Sequence, residues 1–303
     1  MNEIIFENKG LSLERLRLLC DVAHAGGIKA AVGEDLTRQS LASRQLKELS
    51  EYANVELTQR VGRGIIITEK GQELVKIGDQ FFRQLTSFLQ HTHNLPVDFK
   101  LGVGDSVFQW QILPNMKNFE SRFQRIKLIP YSYSSAEIIK AVENRILDAG
   151  IVRKTALSDT DLIAKPMGEI KYKLFVPAQF CKTARQNQAP SISGIPFCTL
   201  TGEGEYTKSA KCFLSAFNGQ PTLNCSSMTQ MYAAVQSGQY AAILPENAEI
   251  SINKSATKVF TLPELAPFTR HMVLIFKSDI RSSPDRSSIL DFLSGCINRR
   301  VTP

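Results

Sequence analysis

Apolar residues recur at three- and four-residue steps from Leu13 through Leu16, Leu19 and Cys20 to Ala23, the spacing of one buried helix face. Gly26 and Gly27 stop that helix. A short second helix is predicted from Ile28 to about Glu34, where Ala30 and Ala31 allow close approach, and a third from about Arg38 to Tyr52. On the third, Leu41, Ala42, Leu46 and Leu49 take the core side, while Gln39, Ser40, Ser43, Arg44 and Lys47 form a polar stripe free of acids. Glu56–Arg60 and the β-branched Ile65–Ile67 read as strands around a turn with two glycines, Gly62 and Gly64. Thr68 then caps a helix running to about Gln90 through Leu74, Ile77, Phe81, Leu85 and Phe88 or Leu89. About 22 residues make it roughly 33 Å long. An apolar stripe on so long a helix calls for a packing partner.

The pattern changes at His91–Pro96, a polar stretch ending in proline. Beyond it, strand signals at Phe99–Val103, Ile126–Tyr131, Ala149–Val152, Tyr172–Val176, Phe197–Leu200, Thr222–Cys225, Ala241–Leu244 and Met272–Phe276 alternate with helical ones. The helical stretches are Gln109–Phe123, Ser135–Asn144, Thr207–Ala216, Thr229–Ser237 and Ser287–Asn298. Such alternation predicts a parallel-sheet α/β architecture in two small lobes.

Composition narrows the class. The 303 residues are 43% hydrophobic and 21% charged, enough for packed cores. No run approaches a membrane span, and the acidic N-terminus MNEIIFENKG does not read as a secretory signal, so a cytoplasmic location is expected. The six cysteines contain no CxxC, and the four histidines cluster only as His91 and His93, so neither a metal site nor a cofactor is expected. Cys198 lies in an apolar strand-like run, as a buried inert thiol would. The net charge of +7 divides unevenly. Residues 1–95 hold twelve basic and twelve acidic residues, and the excess of 24 over 17 falls after them. If the N-terminal part meets a polyanion, it must do so through placement of its cations and not through bulk charge. The excess elsewhere hints at an anionic small ligand.

The polar stripe followed by a basic hairpin has a familiar layout. Arg38-Gln-Ser-Leu-Ala-Ser-Arg-Gln-Leu-Lys-Glu-Leu49, Arg60-Val-Gly-Arg-Gly64 and Ile67-Thr-Glu-Lys-Gly71, after Gly27 and Ala30-Ala31, resemble the DNA-binding domain of LysR-type transcriptional regulators. The spacing departs by one extra residue between Ala31 and Arg44, and Ser40 stands where proline is usual. Arg38 stands where serine is usual, and the phenylalanine frequent before the wing arginine is missing. The resemblance implies a winged helix-turn-helix in which Arg38, Gln39, Ser40, Ser43, Arg44 and Lys47 approach bases or phosphates of an operator duplex, with Arg60 and Arg63 on the backbone or minor groove. It also implies that the long helix pairs two subunits, in a homodimer or homotetramer.

Leu101-Gly-Val-Gly104, Leu147-Asp-Ala-Gly-Ile-Val152 and Ser237–Pro245 are similar, more faintly, to runs in the family's effector-binding domain. That domain is like a periplasmic binding protein, with a ligand between lobes. The implied order is a head at 1–68, a linker helix at 69–95 and an effector domain at 96–303. Its first lobe would take about 96–165 and 266–303, its second about 166–265. Ligands in open α/β sheets lie beyond the carboxyl ends of strands. The candidates there are Ser106, Tyr133, Ser134, Ser135, Arg153, Thr201 and Met228. Ser134 and Ser135 are equally suited to plain helix capping, and Arg153 to an interlobe salt bridge. The expected function is operator binding governed by a small, anionic effector. The rivals are a ligand-binding protein without a DNA role and an enzyme, for which no GxSxG, HExxH or P-loop is found. Gly102 and Gly104 make only half a nucleotide-binding loop.

Overall fold

The computed structural model describes residues 5, 10–62, 64–93, 95–158, 160–181 and 192–297. They form two compact units, Met1–Leu95 and Pro96–Pro303.

In the first unit, α1 (Leu13–Ala25) is capped by Ser12, whose hydroxyl accepts from the Arg15 N–H at 3.2 Å. It ends on Gly26 in the left-handed region at φ 80°. After α2 (Ile28–Val32), α3 (Leu36–Ala53) begins two residues earlier than the apolar pattern indicates, because Asp35 accepts from the Thr37 and Arg38 N–H groups. The hairpin β1 (Thr58–Val61) and β2 (Gly64–Ile67) pairs Val61 with Gly64, leaving a two-residue loop. Gly62, in that loop, has φ 58°. Thr68 caps α4 (Glu69–Thr92), accepting from the Gly71 N–H at 3.0 Å. Leu19, Cys20 and Val22 of α1 pack with Leu46 and Leu49 of α3, Leu57 and Val75. Two residues assigned to the core are not in it: Leu13 is 49% and Leu41 46% exposed. Leu13 sits in the first turn of α1, and Leu41 one residue short of the inward Ala42, so neither faces the packed helices.

In the second unit, a five-stranded sheet has the order β4-β3-β5-β12-β6. β3 (Val97–Gly102) runs parallel to β4 (Ile126–Tyr131) and β5 (Ala149–Arg153). The sheet is mixed and not parallel throughout as expected, for β12 (Arg270–Phe276) is antiparallel to both β5 and β6 (Ile163–Ile170). β6 escaped the reading because Pro166 and Gly168 interrupt its pattern; as an edge strand it tolerates them. The helix expected over Gln109–Phe123 is broken into α5 (Asp105–Val107), a π turn at Phe108–Ile112, a tight turn at Leu113–Asn115 and α6 (Met116–Arg122). Pro114 explains the break, since it lacks an N–H and its ring clashes with the preceding turn. α7 (Ser135–Glu143) covers one face of the sheet through Ile138 and Val142.

The chain then leaves this sheet after Ile170. In the second lobe β7 (Tyr172–Pro177) lies between β10 (Ala242–Pro245) and β11 (Thr257–Phe260), antiparallel to both. β8 (Phe197–Leu200) and β9 (Pro221–Cys225) are parallel, and Phe197 bridges to Ala241. α8 (Glu205–Ala216) and α9 (Met228–Gln236) pack on these strands through Ala210, Phe213, Met231 and Val235. The chain returns through β12 and ends its described part with α10 (Pro284–Ser294), buried through Ile289, Leu290 and Leu293.

Candidate functional site

Two concave surfaces collect the residues singled out above. In the first unit, a hollow of about 1230 Å³ lies between α2, α3 and the hairpin. Gln39, Ser40, Ser43, Arg44 and Lys47 line it from α3, and Arg60 from β1. Gly27, Ile28 and Lys29 at the start of α2, and Gly64 and Ile65 of the hairpin, also line it. Lys29 is a cation the sequence reading passed over, and it pairs at 2.9 Å with Glu34, an acid that lines the same hollow. Arg38 is not part of the lining and lies 3.9 Å from its neighbour Asp35. Arg63 lies outside the described residues. The Gln39 amide donates to the Gly33 carbonyl at 2.8 Å.

The stripe is less free of acid than its spacing indicates. Arg44 reaches Glu48 at 3.5 Å and Lys47 reaches Glu51 at 3.6 Å, each one turn along α3. Residues four apart share one face of a helix, so Glu48 and Glu51 flank the cations directly and the stripe is not free of acid as expected. Arg44 and Lys47 remain 70% and 78% exposed, so both pairs are weak and exchange readily.

In the second unit a cleft of about 330 Å³ opens between the two sheets. The structure brings all seven sensor candidates to it. Ser106, Tyr133, Ser134, Ser135 and Arg153 come from the first lobe, Thr201 and Met228 from the second. Ile151, Ile170, Leu200 and Met272 supply apolar wall. The Tyr172 hydroxyl meets the Met228 sulphur at 3.8 Å, and burial pushes its pKa up to about 12. Tyr206 donates to the Ile243 carbonyl at 2.7 Å, and burial raises its pKa further.

The polar groups of this cleft have definite partners. Ser134 forms a capping box: its hydroxyl accepts from the Glu137 N–H at 3.4 Å, and its own N–H donates to the Glu137 carboxylate at 2.8 Å. Hydrogen bonding from the Ser134 side chain first, and then from its backbone N–H, lowers the Glu137 pKa. Arg153 pairs with Glu205 at 3.1 Å. Arg270, missed in the sequence, lies 3.6 Å from the same carboxylate oxygen. The rule about carboxyl ends of strands misses it because β12 is antiparallel, which brings its amino end to the cleft. Among the described lining residues the charged groups are Arg153, Arg270 and Glu205, a net of one positive charge.

Elsewhere the thiols are as quiet as their burial implies. Cys198 is fully buried, and desolvation, with the Cys225 thiol nearby, pushes its pKa up to about 12. Cys212 is exposed on α8. Among the described residues no group of three His, Cys, Asp or Glu side chains could hold a metal, and no helix is long and apolar enough to cross a membrane.

Comparison with known proteins assigns a family to each unit. Residues 13–72 match the family described as bacterial regulatory helix-turn-helix protein, lysR family, and residues 98–295 match LysR substrate binding domain. The transcriptional dual regulator GltC of Bacillus subtilis is 26% identical over 176 residues, 55% of this chain and 57% of that protein. The chain spans about half the length of the curated relatives it matches. Among solved structures, LysG of Corynebacterium glutamicum with bound effector Arg aligns with a TM-score of 0.62 at 13% identity, covering 94% of this chain and 98% of that one. A full-length OxyR variant from Pseudomonas aeruginosa gives 0.60 at 17% identity, covering 95% and 94%. With a substrate-binding domain over most of its length and a regulatory helix-turn-helix ahead of it, the chain belongs to the LysR family of transcriptional regulators.

Proposed function

We propose that this regulator reads an operator through the hollow of its first unit and senses a small anionic effector in the cleft of its second. The observation that carries the reading is the convergence of Gln39, Ser43, Arg44 and Lys47 on α3 with Arg60 on the hairpin around one concave face. A helix fits the major groove, roughly 12 Å wide, where amide and guanidinium groups read base edges. A basic hairpin beside it suits the phosphate backbone. Arg38 would reach a phosphate only by leaving Asp35, and Arg63 is proposed as a second hairpin cation for the DNA backbone.

The reading of an anionic ligand is supported by the two arginines of the cleft, which outnumber its single acid among the described lining residues. Ser106, Tyr133, Ser135, Thr201 and Met228 would orient the ligand, with Ser134 holding the α7 cap. Effector binding would alter the lobe arrangement and thereby the spacing of two DNA-binding heads in a dimer or tetramer. On this reading residues 1–68 are the head, 69–95 the pairing helix and 96–303 the sensor, acting in the cytoplasm without an enzymatic step.

The test is duplex binding across a salt series. Affinity should fall steeply with salt. Arg44→Ala should lose sequence discrimination while its thermal midpoint and its response to cleft ligands stay unchanged. Operator affinity equal to wild type would overturn the assignment.

A further inference from the structure

We infer that Glu205 is an internal carboxylate standing on the arginine pair of the cleft, and that the cleft takes a small carboxylate that displaces it. This rests on the cleft being the effector site. Arg153 closes β5 and Arg270 opens β12, and the antiparallel register sets Met272 opposite Arg153, so the two arginines sit side by side in the first lobe. Glu205 opens α8 in the second lobe. One of its oxygens serves both guanidiniums, at 3.1 Å from Arg153 and 3.6 Å from Arg270. The two guanidiniums are thereby under-supplied with acceptors. Arg270 Nη2 is buried without a hydrogen-bond partner, while its Nη1 donates to the Pro267 and Thr269 carbonyls at 2.8 and 3.0 Å. A planar carboxylate entering the cleft offers the missing acceptor, and two-point pairing with a guanidinium is stronger than a single contact.

Glu205 is also easily displaced. It is 49% and Arg153 40% exposed at the side chain, the regime in which an ion pair contributes little. The lobes do not depend on it. Deeper in the unit, Asn247 donates to the Gln111 side-chain oxygen at 2.8 Å, and the Trp110 and Tyr232 rings meet edge-on at 5.6 Å. The leaving side chain has somewhere to go. Arg153, Glu205 and Arg270 form the wall between the cleft and a second hollow of about 360 Å³, which Lys208 also lines. Lys208 stands three residues along α8, within reach of a carboxylate one turn before it. The apolar wall of Ile151, Ile170, Leu200 and Met272 then suits the short carbon body behind the acid group.

The experiment uses the full chain and sodium propionate, which has the shape of a glutamate side chain, with propionamide as its uncharged twin. Calorimetric titration and thermal midpoints are compared for wild type, Glu205→Ala and Glu205→Gln. Removing the internal competitor should tighten propionate binding by about twofold to sixfold, because the apparent affinity rises with the fraction of open sites and a half-exposed ion pair closes only part of them. Propionamide should show no such gain, and adding Arg153→Ala to Glu205→Ala should abolish it. If one variant fails to fold, the other carries the comparison. Equal propionate affinity in wild type and variants, or binding in none of them, overturns the inference. Affinity for a duplex pool that the wild type selects from random DNA separates the two levels. Tighter propionate binding with unchanged duplex affinity supports the competition by Glu205 and defeats the effector reading. A duplex response to propionate equal in wild type and variants supports the effector reading and defeats the competition.

Discussion

Arg44 Nε stands 3.5 Å from one oxygen of Glu48, and the other oxygen of that carboxylate is held by Arg15 of α1. One acid thus restrains a side chain proposed to face DNA and ties the same helix to its neighbour. Glu48→Gln keeps the shape and removes the charge. Freed of its neighbour, Arg44 should bind a phosphate more readily, and a negative charge leaves the DNA side. Duplex affinity at low salt should rise about threefold to tenfold, with a steeper salt dependence. Stability should fall by about 1 kcal/mol or less, as expected for partly exposed pairs. Fluorescence anisotropy over a salt series and a melting curve measure the two; binding weaker than wild type would contradict it.

Gly78 marks where α4 crosses α1. A Cβ placed there would stand 2.8 Å from Cys20 Sγ and 3.0 Å from a Leu16 methyl group. Gly78→Ala should therefore cost the first unit about 1–3 kcal/mol by overpacking, despite the better helix propensity of alanine. Cys20→Ala in the same chain should recover most of the loss, since it removes the nearer atom. Chemical denaturation of the single and double variants decides this: additive losses would mean that the two sites do not touch.

Much of this was legible because the signals are local. The caps at Ser12, Thr68 and Ser134 and the strands Ile126–Tyr131 and Phe197–Leu200 depend on neighbours in sequence. The stripe on α3 was legible for the same reason, and the seven cleft residues followed from strand ends. What was missed depends on partners distant in the chain. β6 is a strand because β12 returns beside it, a pairing across about a hundred residues that Pro166 and Gly168 disguise. The position of Arg270 depends on the direction of that same return. Glu205 reads as an ordinary acid in a helical first turn until the second lobe brings it to Arg153. Leu41 is exposed because phase along a helix, one residue from Ala42, decides burial more finely than periodicity does.

Alkaline pH should loosen the sensor unit. Burial first, then the neighbouring Cys225 thiol, raises the Cys198 pKa from 9.0 to about 12, and burial raises Tyr172 from 10.0 to about 12 against the pull of Arg270 and Arg153. The folded chain keeps these protons while the unfolded chain gives them up. Their stabilising effect is complete below pH 9 and is lost as pH rises towards about 12. Each group steepens the decline by about 1.4 kcal/mol per pH unit within its window. Cys198→Ala should make the decline shallower from pH 9 upward, read from urea midpoints at successive pH values. At neutral pH, iodoacetamide should label the exposed Cys212 in the native protein and spare Cys198. Equal labelling would show that lobe two opens readily.

α4 has two apolar faces and a use within its own unit for only one. Val75 joins the core, and Leu74 and Phe82 pack against it. Ile77, Phe81 and Phe88 lie on the other side, 62%, 41% and 64% exposed. Their offsets of four and eleven residues keep them on one stripe of a 24-residue helix about 36 Å long. A stripe of this length and exposure suits the same stripe on a second copy, because a twofold contact makes one patch serve both chains. We expect the wild type to sediment as a dimer and the Ile77→Glu, Phe88→Glu variant as a monomer, since like charges would then face each other across the contact. Neither residue belongs to the buried core, so helical content should be unchanged. Operator affinity should fall by about a hundredfold or more, because the second head no longer binds at the effective concentration set by the first. Sedimentation equilibrium gives the mass and circular dichroism the fold. An unchanged mass would place the subunit contact on some other surface and leave the stripe without a partner.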